Sequence, residues 1–262
     1  MSALLVTIDH RGVAEVRLNR PELHNAFDDA LIAELTAQLQ QLNDNPAVRA
    51  VVLAANGKSF SAGADLNWMQ RMAGYNEAEN FADSRALAAL MHTLNGMLVP
   101  TVARVQGPAY GGGVGLVACC DIAIASDSAT FALTEVKLGL IPAVISPYVI
   151  GKIGVSAARR YFVSAERFDA EAAKQLGLVH EVLDRDELDS YIGKLLDQLL
   201  ANGPHAMAAA KMLIGRVAHQ PVDTGLIDET AKRIARIRGS DEGREGISAF
   251  LQKRQPGWVK PA

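Results

Sequence analysis

The stretch Val105-Gln106-Gly107-Pro108-Ala109-Tyr110-Gly111-Gly112-Gly113-Val114-Gly115-Leu116-Val117-Ala118-Cys119-Cys120-Asp121 constrains the chain more than any other. Thr101 to Val105 reads as a short buried strand, and Val114 to Cys120 is apolar all round, as a core helix is. Three consecutive glycines therefore stand where a strand hands over to a helix. Glycine leaves backbone N–H groups uncovered there, and the helix dipole points at whatever lies above them, so the place suits developing negative charge. The same glycines also serve a turn that packs a helix closely on a sheet, and the stretch by itself does not choose between the two readings.

The rest of the chain favours a layered α/β core. Val13 to Leu18 alternates, with Ala14, Val16 and Leu18 on one face of a strand. After a turn at Asn19-Arg20-Pro21, Asp28 can cap a helix whose Leu31, Leu35, Leu39 and Leu42 stack at helical spacing and which ends near Asn45-Pro46. Val48 to Ala54 is a second strand, and a helix is expected from Phe81 to Leu98, ending at Pro100. Beyond the glycine stretch, Ile122–Ala125 and Ala129–Leu133 read as short strands, and Gly177–Leu183 as a last edge strand. From Asp184 the pattern is helical, with Leu188, Ile192, Leu195 and Leu199 on one face, Pro204 opening the next helix, and further helices near 223–238 and 241–254. This places an α/β core over residues 1–200 and a helical region over 201–262.

Composition narrows the class. With 49% hydrophobic, 21% charged and 5% aromatic residues in 262, the chain reads as a soluble globular protein without an aromatic nucleic-acid face. Neither a signal peptide nor a window of transmembrane length is expected, so the sequence predicts a cytoplasmic protein without membrane or nucleic-acid partners. The two cysteines, adjacent in the apolar helix, read as core filler in a reducing compartment. The net charge of −3 is uneven: residues from 201 onward carry ten Lys/Arg and six Asp/Glu, net +4 against −7 for the remainder. A solvated helical face or a docking surface for an anionic ligand both account for that bias.

A second glycine-bearing stretch follows the Val48–Ala54 strand. Gly57-Lys58-Ser59 invites a phosphate-loop reading, but that loop requires glycine at position 52, which is Val52 here. What remains is Ser61-Ala62-Gly63-Ala64-Asp65, small residues after a strand, with Asp65 able to cap a helix from Leu66 to Met72. Glu135 stands in an apolar neighbourhood just past a strand end, where a carboxylate is either an acid/base with a raised pKa or a turn or helix-capping residue. Val144 to Ile150 is apolar and is expected to line whatever cavity Glu135 faces. Two backbone donors and one carboxylate are what an acyl thioester needs to become an enolate. The donors meet charge as it appears on oxygen, while the carboxylate moves the proton at carbon.

Two of these stretches, Ser61-Ala62-Gly63-Ala64-Asp65 and Gly107-Pro108-Ala109-Tyr110-Gly111-Gly112-Gly113, together with Cys120-Asp121-Ile122-Ala123-Ile124-Ala125 and Phe131 to Pro142, resemble the enoyl-CoA hydratase/isomerase (crotonase) superfamily. The likeness runs from Leu18-Asn19-Arg20-Pro21 to Phe250-Leu251-Gln252-Lys253-Arg254-Gln255-Pro256. It implies a crotonase-type spiral of β-β-α units with a C-terminal helical trimerisation region, a homotrimer or dimer of trimers, acyl-CoA thioester substrates, and no metal or separate cofactor. Carried over residue by residue, the oxyanion donors fall on the N–H groups of Ala64 and Gly112 and one catalytic glutamate on Glu135. The second glutamate of the hydratases would lie at Gly115, where this chain departs from the pattern.

A single glutamate suffices for a Δ3/Δ2-enoyl-CoA isomerase, and also for hydration if Glu135 serves both water and the α-carbon or a substrate carboxylate helps hold the water. The segments Val114–Asp121 and Ile141–Ile150 most resemble the bacterial branch of 3-methylglutaconyl-CoA hydratases, which implies hydration of a branched, carboxyl-bearing enoyl-CoA. The resemblance also puts the Glu22-Leu23-His24 segment, Ala62, Asp65 and Leu66 along the CoA moiety, Gly111, Gly115 and Tyr148 near the acyl group, and Phe250 and Lys253 at the nucleotide end. Phe250 and Lys253 are equally read as an amphipathic helix end. Arg85, Ser146 and Tyr148 are candidate partners for a second substrate carboxylate. Two rivals remain: Gly113-Val114-Gly115-Leu116-Val117-Ala118 formally matches a dinucleotide fingerprint, although Gly107–Tyr110 separates it from its strand, and a non-catalytic CoA-binding scaffold also accommodates Gly115. No metal-ligand spacing or nucleophile elbow is read in the sequence.

Overall fold

The computed structural model describes residues 2–259. Strands β1 (Leu4–Ile8) and β2 (Val13–Leu18) form a hairpin, followed by α1 (Asp29–Asp44), β3 (Ala50–Ala55), α2 (Leu66–Met72), α3 (Glu77–Asn95) and β4 (Thr101–Val105). Then come β5 (Ala109–Tyr110), α4 (Gly112–Cys119), β6 (Ile122–Ser126), β7 (Thr130–Ala132), α5 (Ser146–Ser164), β8 (Phe168–Asp169), α6 (Ala170–Gln175) and β9 (Glu181–Leu183). Helices α7 (Leu188–Leu200), α8 (Pro204–Val217), α9 (Thr224–Gly239) and α10 (Asp241–Leu251) complete the chain.

The main sheet has the order β1-β2-β3-β4-β6-β9, antiparallel only between β1 and β2, and a small sheet runs β5-β7-β8. Parallel strands covered on both faces must be apolar on both, and β3 is buried along its whole length. Its alternate residues serve two layers: Val51, Leu53 and Ala55 join α1, α3, α4 and α5 in the larger core, while Ala50 and Val52 meet Leu188, Ile192 and Leu196 of α7.

Local signals act as the sequence reading expects at the helix starts. Asp28 accepts the Leu31 N–H and opens α1, and Asp65 accepts the Asn67 and Trp68 N–H groups and opens α2. Helix α3 begins at Glu77, four residues before the expected Phe81, because Asn76 and Glu79 form a reciprocal capping box. The last five residues of the run Val144–Ile150 open α5, which is broken at Gly154 where φ is +73°. Among the described residues no helix is long and apolar enough to cross a membrane. Both cysteines are free and buried, and burial pushes both thiols well above their ordinary range.

The edge strand β9 is anchored by a reciprocal pair: the His180 N–H donates to Ala123 O (2.8 Å), and the Ala123 N–H donates to His180 Nδ1 (3.0 Å). That second bond requires an unprotonated Nδ1. Burial, and after it the Lys152 ammonium, push the imidazole below its ordinary value. A base depressed in the folded state contributes stability that is complete above its unfolded pKa and lost as the pH falls through the folded one. Thermal melts should therefore show the midpoint declining as the pH drops below about 6.5, and the decline should be shallower in His180→Gln, whose amide oxygen accepts the same N–H at any pH.

Candidate active site

The site is built where β3 and β4 end, outside the carboxyl edge of the parallel sheet, the usual place for ligands in such sheets. Phe27 pairs with Ala64 as an isolated parallel bridge: the Phe27 N–H donates to Gly63 O (2.8 Å) and the Asp65 N–H to Phe27 O (2.9 Å). In that geometry the flanking residues make both bonds, so the N–H of Ala64 itself points away. Ser61 and Ala109 form a second bridge, through the Ser61 N–H to Pro108 O (3.2 Å) and the Tyr110 N–H to Ser61 O (2.9 Å). The two loops are thereby sewn together. A Cβ on Gly63 would stand only 3.1 Å from Tyr110 O.

Gly111 caps α4 with φ +51° and ψ −122°, a conformation that glycine adopts without strain, and donates its N–H to Ala132 O (2.9 Å). This leaves the next N–H, of Gly112, at the open start of α4. Within the described residues neither the Ala64 nor the Gly112 N–H donates to any protein acceptor. The glycines at 112 and 113 are also spatial requirements: a Cβ at Gly113 would stand 2.6 Å from Ser61 O and one at Gly112 2.6 Å from Phe27 Cε2. The stretch is therefore a close-packed turn that also leaves the Gly112 N–H without a protein acceptor among the described residues.

Glu135 arrives from the small sheet. Tyr110 pairs with Ala132 across β5 and β7, and three residues later Glu135 starts a single 3-10 turn, Glu135–Leu138. Its Oε1 lies 3.3 Å from where a Cβ on Gly111 would be, and its Oε2 is buried without a hydrogen-bond partner. Burial raises the carboxyl pKa above its ordinary value, opposed weakly by its own backbone N–H. The structure thus brings together three features far apart in sequence: the Ala62–Asp65 loop, the Gly111–Gly113 turn and the Glu135 carboxylate. Two free N–H donors and a hard-to-ionise carboxylate with one oxygen unpartnered can stabilise a developing oxyanion and move a proton.

Residues 9–261 match the enoyl-CoA hydratase/isomerase family. A crystal structure of an enoyl-CoA hydratase from Shewanella pealeana superposes with a TM-score of 0.95 at 47% identity, covering 98% of this chain and 96% of that one. The 2,3-dehydroadipyl-CoA hydratase of Escherichia coli is 34% identical over 98% of both chains. The enoyl-CoA isomerase/hydratase fer4 of Mycosarcoma maydis is 33% identical over 94% of this chain and 92% of its own. This chain belongs to the enoyl-CoA hydratase/isomerase family. It has the crotonase fold, and its activity is that of the hydratase/isomerase family.

The other expected residues of this crotonase are placed unevenly. His24 O accepts the Ala62 N–H (2.9 Å) and its Nδ1 meets Ser59 Oγ (3.0 Å), so the 22–24 segment does border the Ala62 loop. Asp65 is buried as the α2 cap, whereas Leu66, at 81% exposure, projects into solvent beside it. Tyr148 is half-buried in the first turn of α5 against the main core, with its pKa raised by burial and by the nearby Cys119. Phe250 is 82% exposed at the end of α10, and Lys253, three residues on, has φ +54° and makes no side-chain hydrogen bond among the described residues. Gly115 is walled off from any second carboxylate. A Cβ there would overlap Ile145 Cγ2 and lie 3.0 Å from Ile145 Cβ and 3.2 Å from Met91 Cε.

The sequence places Ile145 in an expected cavity-lining run, but nothing local ties it or Met91 to position 115. A side chain at 115 must displace one of them, so Gly115→Ala should cost about 1–3 kcal/mol, seen as several degrees in a thermal melt. Glu135 predicts the opposite sign. A carboxyl whose folded pKa is raised contributes stability only below its unfolded value and loses it as the pH rises through the folded one. At neutral pH Glu135→Gln should therefore melt higher than wild type, with the gap closing below about pH 4.5.

Proposed function

We propose that this crotonase hydrates a branched, carboxyl-bearing enoyl-CoA such as 3-methylglutaconyl-CoA, with Glu135 as the proton-transfer group and the Ala64 and Gly112 N–H groups as the oxyanion hole. The observation that carries the reading is the unpartnered Glu135 oxygen buried beside the Gly111 turn, whose next N–H, that of Gly112, is free. Glu135 takes a proton from water as the water oxygen bonds to C3. The C2–C3 π electrons move through C2 onto the thioester oxygen, where the two N–H groups meet the charge. Glu135 then returns its proton to C2, completing the addition. A raised pKa makes the same group a better base for the first step and still an adequate acid for the second.

A carboxyl-bearing acyl group is supported by the relative named for a dehydroadipyl-CoA, a dicarboxylic acyl thioester. On the protein side the Arg85 guanidinium and the Tyr148 hydroxyl make no hydrogen bond within the described residues, while Ser146 Oγ already donates to Ala143 O at 2.7 Å. Arg85 and Tyr148 therefore remain available to a second carboxylate, and Ser146 is the weaker choice. The reading needs no metal or separate cofactor, since the CoA is part of the substrate.

One observation favours a second reading, the Δ3/Δ2 isomerase: Ile145 and Met91 fill the space at Gly115, so no second carboxylate orients water from there. In that reaction Glu135 removes a proton from C2 of a 3-enoyl thioester and returns it to C4. The homotrimer or dimer of trimers is proposed from the C-terminal helices, where α8 and α9 bury no residue and Ile214, Val222, Phe250 and Leu251 are each more than 60% exposed.

Purified protein assayed on 3-methylglutaconyl-CoA, crotonyl-CoA and a 3-enoyl-CoA, with product mass recorded, decides between them. Addition of one water to the branched, carboxylated thioester supports hydration, an unchanged mass with a moved double bond establishes the isomerase, and no turnover of any of them points to another acyl group or to a scaffold. Glu135→Gln should lower kcat by at least about 10³ while CoA-thioester binding persists. In wild type kcat should rise with pH through an inflection above the ordinary glutamate value, because the base form is the reactive one.

A further inference from the structure

The two proposed oxyanion donors belong to loops, so something beneath them must fix their separation. Phe27 lies between them. Its backbone brackets Ala64 through Gly63 O and the Asp65 N–H, its ring occupies the space a side chain on Gly112 would need, and it is 2% exposed. A shift of Phe27 would move one donor through hydrogen bonds and the other through packing.

The residues on either side of this arrangement are tied by one side chain. Arg20 Nη1 donates to Ala26 O (3.0 Å) and to Asp28 Oδ2 (2.9 Å), and its Nη2 donates to Asp65 Oδ2 (3.2 Å). Each carboxylate uses its other oxygen for a helix start: Asp28 Oδ1 accepts the Leu31 N–H (2.9 Å), and Asp65 Oδ1 accepts those of Asn67 (2.8 Å) and Trp68 (3.2 Å). One guanidinium thus joins the caps of α1 and α2 and the carbonyl just before Phe27. Its side chain is 16% exposed and Asp65 only 6%, so these charge-assisted bonds are largely out of water.

We propose that Arg20 is a positioning residue for the oxyanion hole, holding the Ala26–Asp28 and Ala64–Asp65 segments in register so that both N–H groups meet the same thioester oxygen. This rests on the donor roles assigned to Ala64 and Gly112. Arg20 acts through Phe27 and Asp65 and does not touch the substrate. Lysine keeps the charge but not the planar fork that reaches two carboxylates and a carbonyl from two nitrogens.

The test compares wild type, Arg20→Lys and Asp28→Asn on the turnover substrate and with acetoacetyl-CoA, a 3-oxoacyl thioester whose enolate has its own ultraviolet band. An oxyanion hole draws the bound ligand toward the enolate. Both variants should lose about 10–100-fold in kcat with KM within about twofold. They should also bind acetoacetyl-CoA with a smaller enolate fraction at saturation, and the inflection of kcat against pH should stay in place because Glu135 is untouched. Wild-type kcat and enolate band in folded Arg20→Lys would overturn the proposal, as would a kcat loss matched by the folded fraction with the band per folded site unchanged. A wild-type protein that binds acetoacetyl-CoA without any enolate band would instead remove the oxyanion reading itself, and Arg20's role with it.

Discussion

The site depends on the close approach of two backbone segments, 62–65 and 110–113. Their hydrogen bonds run through Ser61, Pro108 and Tyr110, and Gly63 lies against Tyr110 O at a distance that leaves little room for a side chain. This is why the proposed chemistry at this place rests on main-chain donors. A side-chain donor would need space that the approach removes, and it would bring rotamer freedom where a fixed dipole works better. It also means that the donors are only as well placed as the packing below them, where Phe27 lies against both segments.

Glu135 illustrates when a perturbed group has chemical meaning. Burial raises the pKa of Glu135 and also of Cys119 and Cys120. The thiols lie inside or at the end of an apolar helix, with Cys119 Sγ 3.7 Å from Met91 Sδ, and such surroundings make them inert packing. The carboxylate differs in what it faces. Its oxygens lie beside the Gly111 turn with one lone-pair set unsatisfied, a cost that a packed core seldom tolerates without a functional return.

Much of this was legible in the chain because the relevant forces act over a few residues. Asp28 and Asp65 announce helix starts through bonds two or three residues ahead, and the leucines of α1 announce its buried face through their spacing. Strand β1 was not read, its burial being mostly one-sided and partial. The small sheet was read only in part: β5 and β8 are two residues long, too short for alternation to show. Helix α5 was hidden by its break at Gly154 and by an apolar opening that reads equally well as cavity lining.

By itself the sequence determined the ingredients: two glycine-bearing turns after strands, one carboxylate past a strand end, and glycine where a second carboxylate would be expected. Only the tertiary structure decided that they meet. The Tyr110–Ala132 pairing carries Glu135 to Gly111, the Phe27–Ala64 bridge turns the Ala64 N–H outward, and Ile145 and Met91 fill the space beside Gly115. The reason is the range of the interactions. Caps and periodicity are written within a turn or two of chain, whereas strand pairing and the filling of space join residues tens of positions apart and exist only once the sheet has closed.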